Sequence, residues 1–297
     1  MDTTFENYRN EMINLITTKH KVDGEFQSKI PNLDFFTSRT LSEQISIMYE
    51  PSICIILQGA KDVNFGDIVY NYDQNEYLVS STHLPARIKI SEASNEKPYV
   101  SLRIKFNIED IHEVLKNINY SIVPIDIQSE KGLCFNEINI ELYESIFRLV
   151  KLLERENDDI NFLYPLVIRE VLYNLVKSKS GYFISKFSMD GTVSNKIAKV
   201  ITQIKDNFDK KINIKQLANS IDMSESSLYQ HFKTTTSISP LQFQKKLRLE
   251  EAKQLLLLQN KEVHEIAFQV GYESPSQFSR EFSRMFGVAP SLIVQNI

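Results

Sequence analysis

The sequence has few of the features that place a protein outside the cell or in a membrane. Only two of its 297 residues are cysteines, Cys54 and Cys134, so we expect no disulfide framework and a reducing, cytoplasmic setting. The longest purely apolar runs are four or five residues, far short of the ~20 that a membrane span needs. The N-terminus lacks the basic segment followed by an apolar one that marks a secretory signal.

Sequence motifs for catalysis or metal binding are also missing. The segments at His112 and His264 both begin like a zinc-protease signature, but Lys116 and Phe268 stand where the second histidine belongs. No His-x-His pair, phosphate-binding glycine loop, serine-nucleophile elbow or dinucleotide fingerprint occurs. We therefore predict a protein that is not an enzyme, with no catalytic residue, metal site or cofactor. The alternative, a small-molecule enzyme with a helical accessory domain, would need a convergent polar site.

The composition is that of a soluble globular protein, with 42% hydrophobic and 24% charged residues, and the length suits two domains. The net charge of −4 is unevenly distributed. Residues 192–297 contain 14 Lys and Arg against 10 Asp and Glu, which leaves 20 and 28 in the first 191 residues. The C-terminal third is therefore the only part whose electrostatic field favours phosphates.

Between Tyr49 and Phe106 the apolar residues recur with a period of two, which is typical of half-buried strands. We predict a small β-barrel or sandwich at about 49–106, followed by helices at about 108–178. A barrel of this size is either filled by side chains or holds one small ligand. The helices either cover the barrel or form a dimer seam, and the pattern leaves both choices open.

Glycine and polar residues at 181–193 predict a linker that divides the chain. Residues 1–180 would form an effector or dimerisation domain, and residues 194–297 a helical domain. The predicted fold class is α+β, with an N-terminal small β-barrel, flanking helices and an all-α C-terminal domain.

The helical domain contains an internal repeat. The pattern of residues 214–236 returns at 263–286, about fifty residues later, with Ser224 matching Ser274. Each copy is predicted to form a short helix, a tight turn and a second helix with a capping serine, which fits a helix-turn-helix unit whose second helix enters a major groove. The competing interpretation is an amphipathic helical hairpin without a ligand. A connecting helix from Pro240 would be ~30 Å long, close to the ~34 Å between successive major-groove faces.

Several motifs carry a family resemblance in the C-terminal part: Ile214–Ala218, Met223-Ser224, His231–Lys233, Ser239–Gln242, Arg248-Leu249, Val270–Tyr272 and Ser274–Phe282. With these motifs the chain resembles the AraC/XylS-type transcriptional regulators. Upstream, Pro51–Lys61, Tyr77–Ser80 and Leu84-Pro85 are similar to the N-terminal domain of one branch of that family. The resemblance implies a cupin-like effector barrel joined to two helix-turn-helix units. Asp222 and Ser237 depart from the glycines of the pattern, and we expect both to leave the fold intact.

The resemblance also implies which residues meet DNA, because in that family the second helix of each unit enters the groove. Carried over by position, they are Ser226, Tyr229, Gln230 and Lys233 in the first unit and Ser276, Gln277, Arg280 and Arg284 in the second. Arg280 suits a bidentate contact to guanine, and the glutamines suit adenine. Lys233 and Arg284 are better placed for phosphates. The competing interpretation of each is a solvated surface residue.

The sequence thus predicts a cytoplasmic, sequence-specific transcriptional regulator, an activator or a repressor. Its expected partners are double-stranded operator DNA and a small-molecule effector, with RNA polymerase and a second copy of the chain as further candidates and no membrane. No effector-binding residue is assigned. In the rival interpretation the barrel only dimerises, or Cys54 senses thiol-reactive compounds. Cys54 and His83 could line a cavity, but a buried structural role competes for both.

Overall fold

The computed structural model describes residues 3–118, 130–258 and 261–296. Its strands, numbered in chain order, are β1 (Gly24–Gln27), β2 (Leu33–Ser38), β3 (Ile45–Tyr49), β4 (Ser52–Gln58), β5 (Ala60–Phe65), β6 (Ile68–Tyr72), β7 (Glu76–Ser80), β8 (Leu84–Glu92), β9 (Tyr99–Lys105) and β10 (Leu133–Glu137). Its helices are α1 (Thr3–Lys19), α2 (Ile108–Lys116), α3 (Ile140–Lys151), α4 (Asn157–Lys177), α5 (Gly181–Ser188), α6 (Val193–Asp206), α7 (Ile214–Asn219), α8 (Glu225–Thr236), α9 (Pro240–Leu258), α10 (Val263–Gln269) and α11 (Pro275–Phe286). Short 3-10 segments follow α3 and α11. None of these helices is long and apolar enough to cross a bilayer.

The strands form two antiparallel sheets, which confirms the α+β class. The larger sheet has the order β1-β2-β9-β4-β7-β10, and the smaller has the order β3-β8-β5-β6. Within the described residues no hydrogen-bonded strand pair joins the two sheets, so the barrel expected at about 49–106 is not closed. The boundaries expected for it were also too narrow, because β1, β2 and most of β3 precede residue 49 and β10 follows residue 106.

Strand β4 shows how the larger sheet is buried. Ile53, Ile55 and Leu57 pack with helices α1 to α5 in one hydrophobic core. Cys54 and Ile56 point to the other face and pack in a second core between the sheets. The prediction of a half-buried strand was wrong here, because helices cover the face that was expected to meet water.

The glycines of residues 181–193 led us to expect a linker there. The structure shows that most of this segment is helical instead. Residues 181–188 form α5, and its side chains Phe183, Ile184 and Phe187 are buried in the core with the larger sheet. Their helical spacing places three apolar groups on one face, which outweighs the turn-forming residues that flank them. The break before the next helix is confined to 189–192, where the Thr192 hydroxyl caps α6 by accepting from the amide of Asn195 at 3.1 Å.

The C-terminal helices pack around two hydrophobic cores that share α9. Phe243 and Leu247, in its first half, belong to the core built by α6, α7 and α8. Leu249, Ala252 and Leu256, in its second half, belong to the core built by α10 and α11. The first helix-turn-helix unit is therefore α7 and α8, the second is α10 and α11, and α9 is a rigid spacer between them.

The turns of the two units have matching backbone geometry despite their different residues. Asp222 adopts a left-handed φ of 53°, where the second unit has Gly271 with φ of 88°. Ser237 ends α8 with φ of 66°, and Gly287 ends α11 with φ of 76°. Non-glycine residues can occupy this region at a modest cost, so both departures leave the turns intact, as expected.

Candidate nucleic-acid interface and ligand cavity

All eight residues predicted to meet DNA have exposed side chains on α8 and α11. The opposite faces of these helices are anchored, since Leu228 and Phe232 of α8 and Phe278 and Phe282 of α11 are fully buried. The structure thus places Ser226, Tyr229, Gln230 and Lys233 together on one helix, and Ser276, Gln277, Arg280 and Arg284 together on the other.

Each of these helices begins at a capping serine. Ser224 accepts from the amide of Ser227 at 3.2 Å, and Ser274 accepts from the amide of Gln277 at 3.3 Å. Pro275 occupies the first turn of α11, where its missing N–H costs nothing. The side chain of Gln277 donates to the carboxylate of Glu281 on the next turn of α11.

Glu281 organises the polar face of α11 and was not identified from the sequence. Its carboxylate accepts from Gln277 at 3.2 Å, from Lys245 at 2.9 Å and from the Tyr272 hydroxyl at 2.8 Å. Burial opposes its ionisation, but these three donors outweigh burial and hold the pKa of Glu281 below its usual value. The amide of Gln277 is held in this network, whereas Arg280 hydrogen bonds, among the described residues, only to the carbonyl of Ser276 on its own helix, at 3.3 Å.

Arg248 on α9 ties the two helix-turn-helix units together. Its guanidinium donates to the carbonyl oxygens of Phe208 at 2.7 Å, Asp209 at 3.0 Å and Lys210 at 3.1 Å, all in the connection between α6 and α7. It also donates to the carbonyl of Gly271 at 2.7 Å, in the turn of the second unit. The sequence showed Arg248 only as part of a family motif, because the carbonyls that it binds lie far away in the chain.

The N-terminal domain touches the end of α8. The amide of Gly132 donates to the carbonyl of Thr235 at 2.9 Å, and the Thr235 hydroxyl donates to the carbonyl of Glu130 at 3.2 Å. The Glu130 carboxylate lies 3.4 Å from Nδ1 of His231. The last turn of α8 is therefore docked on the segment that leads into β10.

A groove of about 980 Å³ separates the second unit from the N-terminal domain. Its walls include Glu43, next to β3, and Lys246, Lys253 and Arg284 on α9 and α11. Arg284 therefore faces both solvent and the neighbouring domain, which sequence reasoning did not anticipate.

Glu250 on α9 faces the N-terminal domain, where it lines a second cavity together with residues of both sheets. Its Oε1 is buried without a hydrogen-bond partner among the described residues. Burial raises its pKa from 4.5 to about 7, against the opposing attraction of Lys253 and Lys246 on the same helix. Burial, together with the charge of Arg87 on β8, lowers the pKa of the neighbouring Lys246.

Glu250→Gln is expected to stabilise the protein at pH 8 but not at pH 4.5. Because the folded pKa lies above the unfolded one, the cost of ionising Glu250 is absent below pH 4.5, grows between 4.5 and 7, and is complete above 7. The gain at pH 8 should be on the order of 2 kcal/mol, allowing for partial exposure. Urea unfolding at both pH values measures it, with exposed Glu251→Gln as the control. A pH-independent difference would contradict the assignment.

A second cavity, of about 550 Å³, opens between the two sheets and reaches α9. Cys54 lies in its wall and is only 6% exposed. His83 is not part of this wall. Its Nε2 lies 3.9 Å from Oε1 of Glu50. Burial, together with the charge of Lys205, lowers the pKa of His83 to about 4. Among the described residues, no cluster of side chains suits a metal ion.

These observations define a class of protein: a ligand-sized cavity in an antiparallel sheet domain, joined to two helix-turn-helix units with exposed polar faces on α8 and α11. A family model described as the N-terminus of AraC-type transcriptional regulators matches residues 29–183, and a helix-turn-helix domain model matches residues 217–296. The first match covers more than half of the chain. The protein therefore belongs to the AraC-type transcriptional regulators, which confirms the resemblance drawn from its motifs.

Individual relatives agree with this family. The raffinose operon transcriptional regulatory protein RafR of Pediococcus pentosaceus is 31% identical over 160 residues, which are 54% of this chain and 57% of the relative. The lactose operon transcription activator of Staphylococcus xylosus is 28% identical over 151 residues. The chain thus spans little more than half the length of these two relatives. The transcriptional activator CsvR of Escherichia coli is 24% identical over 85% of this chain and 91% of the relative.

The whole fold has a solved counterpart. The crystal structure of apo ToxT from Vibrio cholerae superposes with a TM-score of 0.62 at 14% identity, over 91% of this chain and 99% of that chain. A structure of ToxT with a bound unsaturated fatty acid gives a TM-score of 0.59. At this identity the likeness shows a shared fold.

Proposed function

We propose that this chain regulates transcription by binding double-stranded operator DNA through α8 and α11. The observation that supports this most directly is that both helices are capped, anchored by buried aromatic side chains and exposed along one polar face, while α9 holds both units. The printed names of RafR and CsvR describe operon regulation and transcriptional activation, in agreement with the proposal.

The polar groups of the two faces suit different roles. Arg280 offers a guanidinium fork for the O6 and N7 atoms of guanine, and Gln230 offers an amide for adenine. Lys233 and Arg284, later in their helices, suit phosphate contacts that fix the register of the protein on the duplex. Ser226, Tyr229, Ser276 and Gln277 complete the two faces.

Arg280→Ala is expected to weaken operator binding by about 1–3 kcal/mol and to relax the preference at one base pair. The operator is first obtained by selecting bound duplexes from random DNA with the full chain, and affinities are then measured on all single-base variants. Arg284→Ala is the matched control, for which we expect a loss that is uniform across sequences and a shallower salt dependence. Unchanged operator affinity of Arg280→Ala would remove its assignment to a base.

We also propose that a small molecule in the inter-sheet cavity controls this binding. A cavity of about 550 Å³ lies within the usual range for small-molecule sites, which favours the effector interpretation over a domain that serves only for dimerisation. Sensing of thiol-reactive compounds by Cys54 stays a prediction. A ligand can act only by favouring one domain arrangement over another. We propose RNA polymerase and a second copy of the chain as further binding partners, and the cytoplasm as the location of the protein.

A further inference from the structure

Lys61 on β5 is a buried cation with no counter-charge among the described residues. Its side chain is 8% exposed and shares the inner face of the strand with Val63 and Phe65. Its Nζ lies 5.6 Å from the ring centre of Tyr72 and 5.9 Å from that of Tyr99. Within the described part of the chain it takes part in no ion pair, although burying an unpaired charge is costly.

Three tyrosine hydroxyls near this ammonium also lack partners. The hydroxyl oxygens of Tyr49, Tyr72 and Tyr99 are buried without a hydrogen bond to any described residue. An unsatisfied buried donor is unusual in a folded protein, and three beside one cation point to a polar group that the chain itself does not supply. Burial disfavours the charged form of Lys61, whereas its electrostatic interactions with these tyrosines favour that form and hold its pKa above the ordinary value.

The cavity brings these groups into reach of a ligand. Lys61, Tyr49 and Tyr99 line it directly, whereas Tyr72 lies behind Lys61. Much of the remaining wall is apolar, and it includes Phe36, Ile47, Met48, Ile88, Ile90 and Leu102. A ligand that fills this space therefore combines one charged end with an apolar body.

Other charged groups of the wall are paired or partly exposed. Arg103 pairs with Glu25 and with Asp34, and Asp34 also pairs with Lys105 at 3.1 Å. Glu50 is turned toward His83 and is 44% exposed.

On the far side, Glu250 and Lys253 of α9 attract each other. Of the described cations of the wall, Lys61 and Lys253 take part in no ion pair, and only Lys61 is buried, which suits a single negative charge. Water can satisfy the phenols, but it supplies no counter-charge.

We propose that this cavity binds a small organic monocarboxylate, with its carboxylate on Lys61 and the hydroxyls of Tyr49 and Tyr99 and its apolar body between the sheets. This names the chemical class of the effector and so rests on the proposed function for its regulatory meaning. Glu250, Lys253 and Gln254 of α9 line the same cavity, so the ligand would touch the helix that carries both reading units. Occupancy can thereby bias the position of α9 and the affinity for DNA.

The test compares acids with their uncharged analogues on the full chain. Hexanoate, decanoate and 4-phenylbutyrate are each paired with the corresponding primary amide. Binding is measured by calorimetry and by the shift in Tm. Inorganic phosphate serves as an anion without an apolar part. We expect at least one acid to bind and raise Tm, its amide to bind at least tenfold more weakly, and phosphate alone to give no shift. Equal binding of acid and amide, binding of phosphate alone, or binding of none of the acids would overturn the proposal.

Variants locate the anion. Lys61→Met keeps the side-chain volume and is expected to weaken acid binding at least tenfold, and its ligand-free Tm shows whether the variant is folded. Tyr99→Phe removes only a hydroxyl and should weaken binding severalfold. Lys89→Met, which removes an exposed lysine of β8, is the matched control and should bind as before. Acid binding that is unchanged in both Lys61→Met and Tyr99→Phe would place the carboxylate elsewhere.

Selection from random DNA separates this inference from the proposed function. If the chain selects an operator but binds no acid through Lys61, the ligand assignment fails and DNA binding stands. If an acid binds through Lys61 but no duplex sequence is enriched with or without it, the monocarboxylate site stands and the regulatory function fails.

Discussion

Replacing Gly271 with alanine is expected to destabilise the C-terminal domain by at least about 4 kcal/mol. Gly271 has a φ of 88°, and a Cβ on its backbone would lie 2.1 Å from the carbonyl oxygen of Asp209 and 2.8 Å from Nη2 of Arg248. The first of these atoms is backbone and cannot rotate away. The turn of the second unit would therefore have to separate from the connection between α6 and α7. Urea unfolding followed by circular dichroism measures the loss.

Gly287→Ala is the matched control for this steric effect. Gly287 also has a left-handed φ, 76°, but a Cβ there would meet nothing within 4 Å. Only the conformational cost remains, which is about 1 kcal/mol. Equal losses in the two variants would show that the close approach at Gly271 does not matter for stability.

Arg248→Met is expected to cost about 3–4 kcal/mol, the second largest effect. The change leaves the carbonyls of Phe208 and Gly271 without their guanidinium donor. It also removes the cation whose Cζ lies 5.9 Å from the ring centre of Tyr272. Arg248→Lys should recover only part of the loss, because an ammonium cannot reach four carbonyls in the geometry of a planar fork. The same unfolding experiment applies.

Lys245→Met separates this role from a general loss of positive charge on α9. Lys245 is exposed and makes one ion pair, with Glu281 at 2.9 Å, so its removal should cost less than about 1 kcal/mol. If Lys245→Met and Arg248→Met lost the same stability, the carbonyl contacts of Arg248 would not be what holds the two units together.

The helical part of the fold could be predicted from the sequence because its signals are local. Each unit has a capping serine, and Phe232 of the first unit matches Phe282 of the second. This repeat defines two units without knowledge of any distant contact. The sheet domain was predicted less completely. Strand β10 pairs with β7, with Leu133 opposite Ser80, and such a pairing leaves no trace in either segment alone.

The outward-facing positions of α8 and α11 could be predicted for the same reason, since they follow from the helical period. The proposed ligand site could not be predicted, although the sequence holds one signal for it. In β5 the alternation places Lys61 on the apolar face with Val63 and Phe65. A lysine at an inward position of a strand needs a group that balances its charge. The three tyrosines that surround it come from β3, β6 and β9, and only the folded sheets bring them together.

Because one half of α9 belongs to each C-terminal core, the two reading helices cannot swivel independently. An operator for this chain would consequently be bipartite, with its two elements in constant phase along the duplex. Inserting about five base pairs between them turns one element to the opposite side of the DNA. The protein could then engage one element or the other, but never both at once.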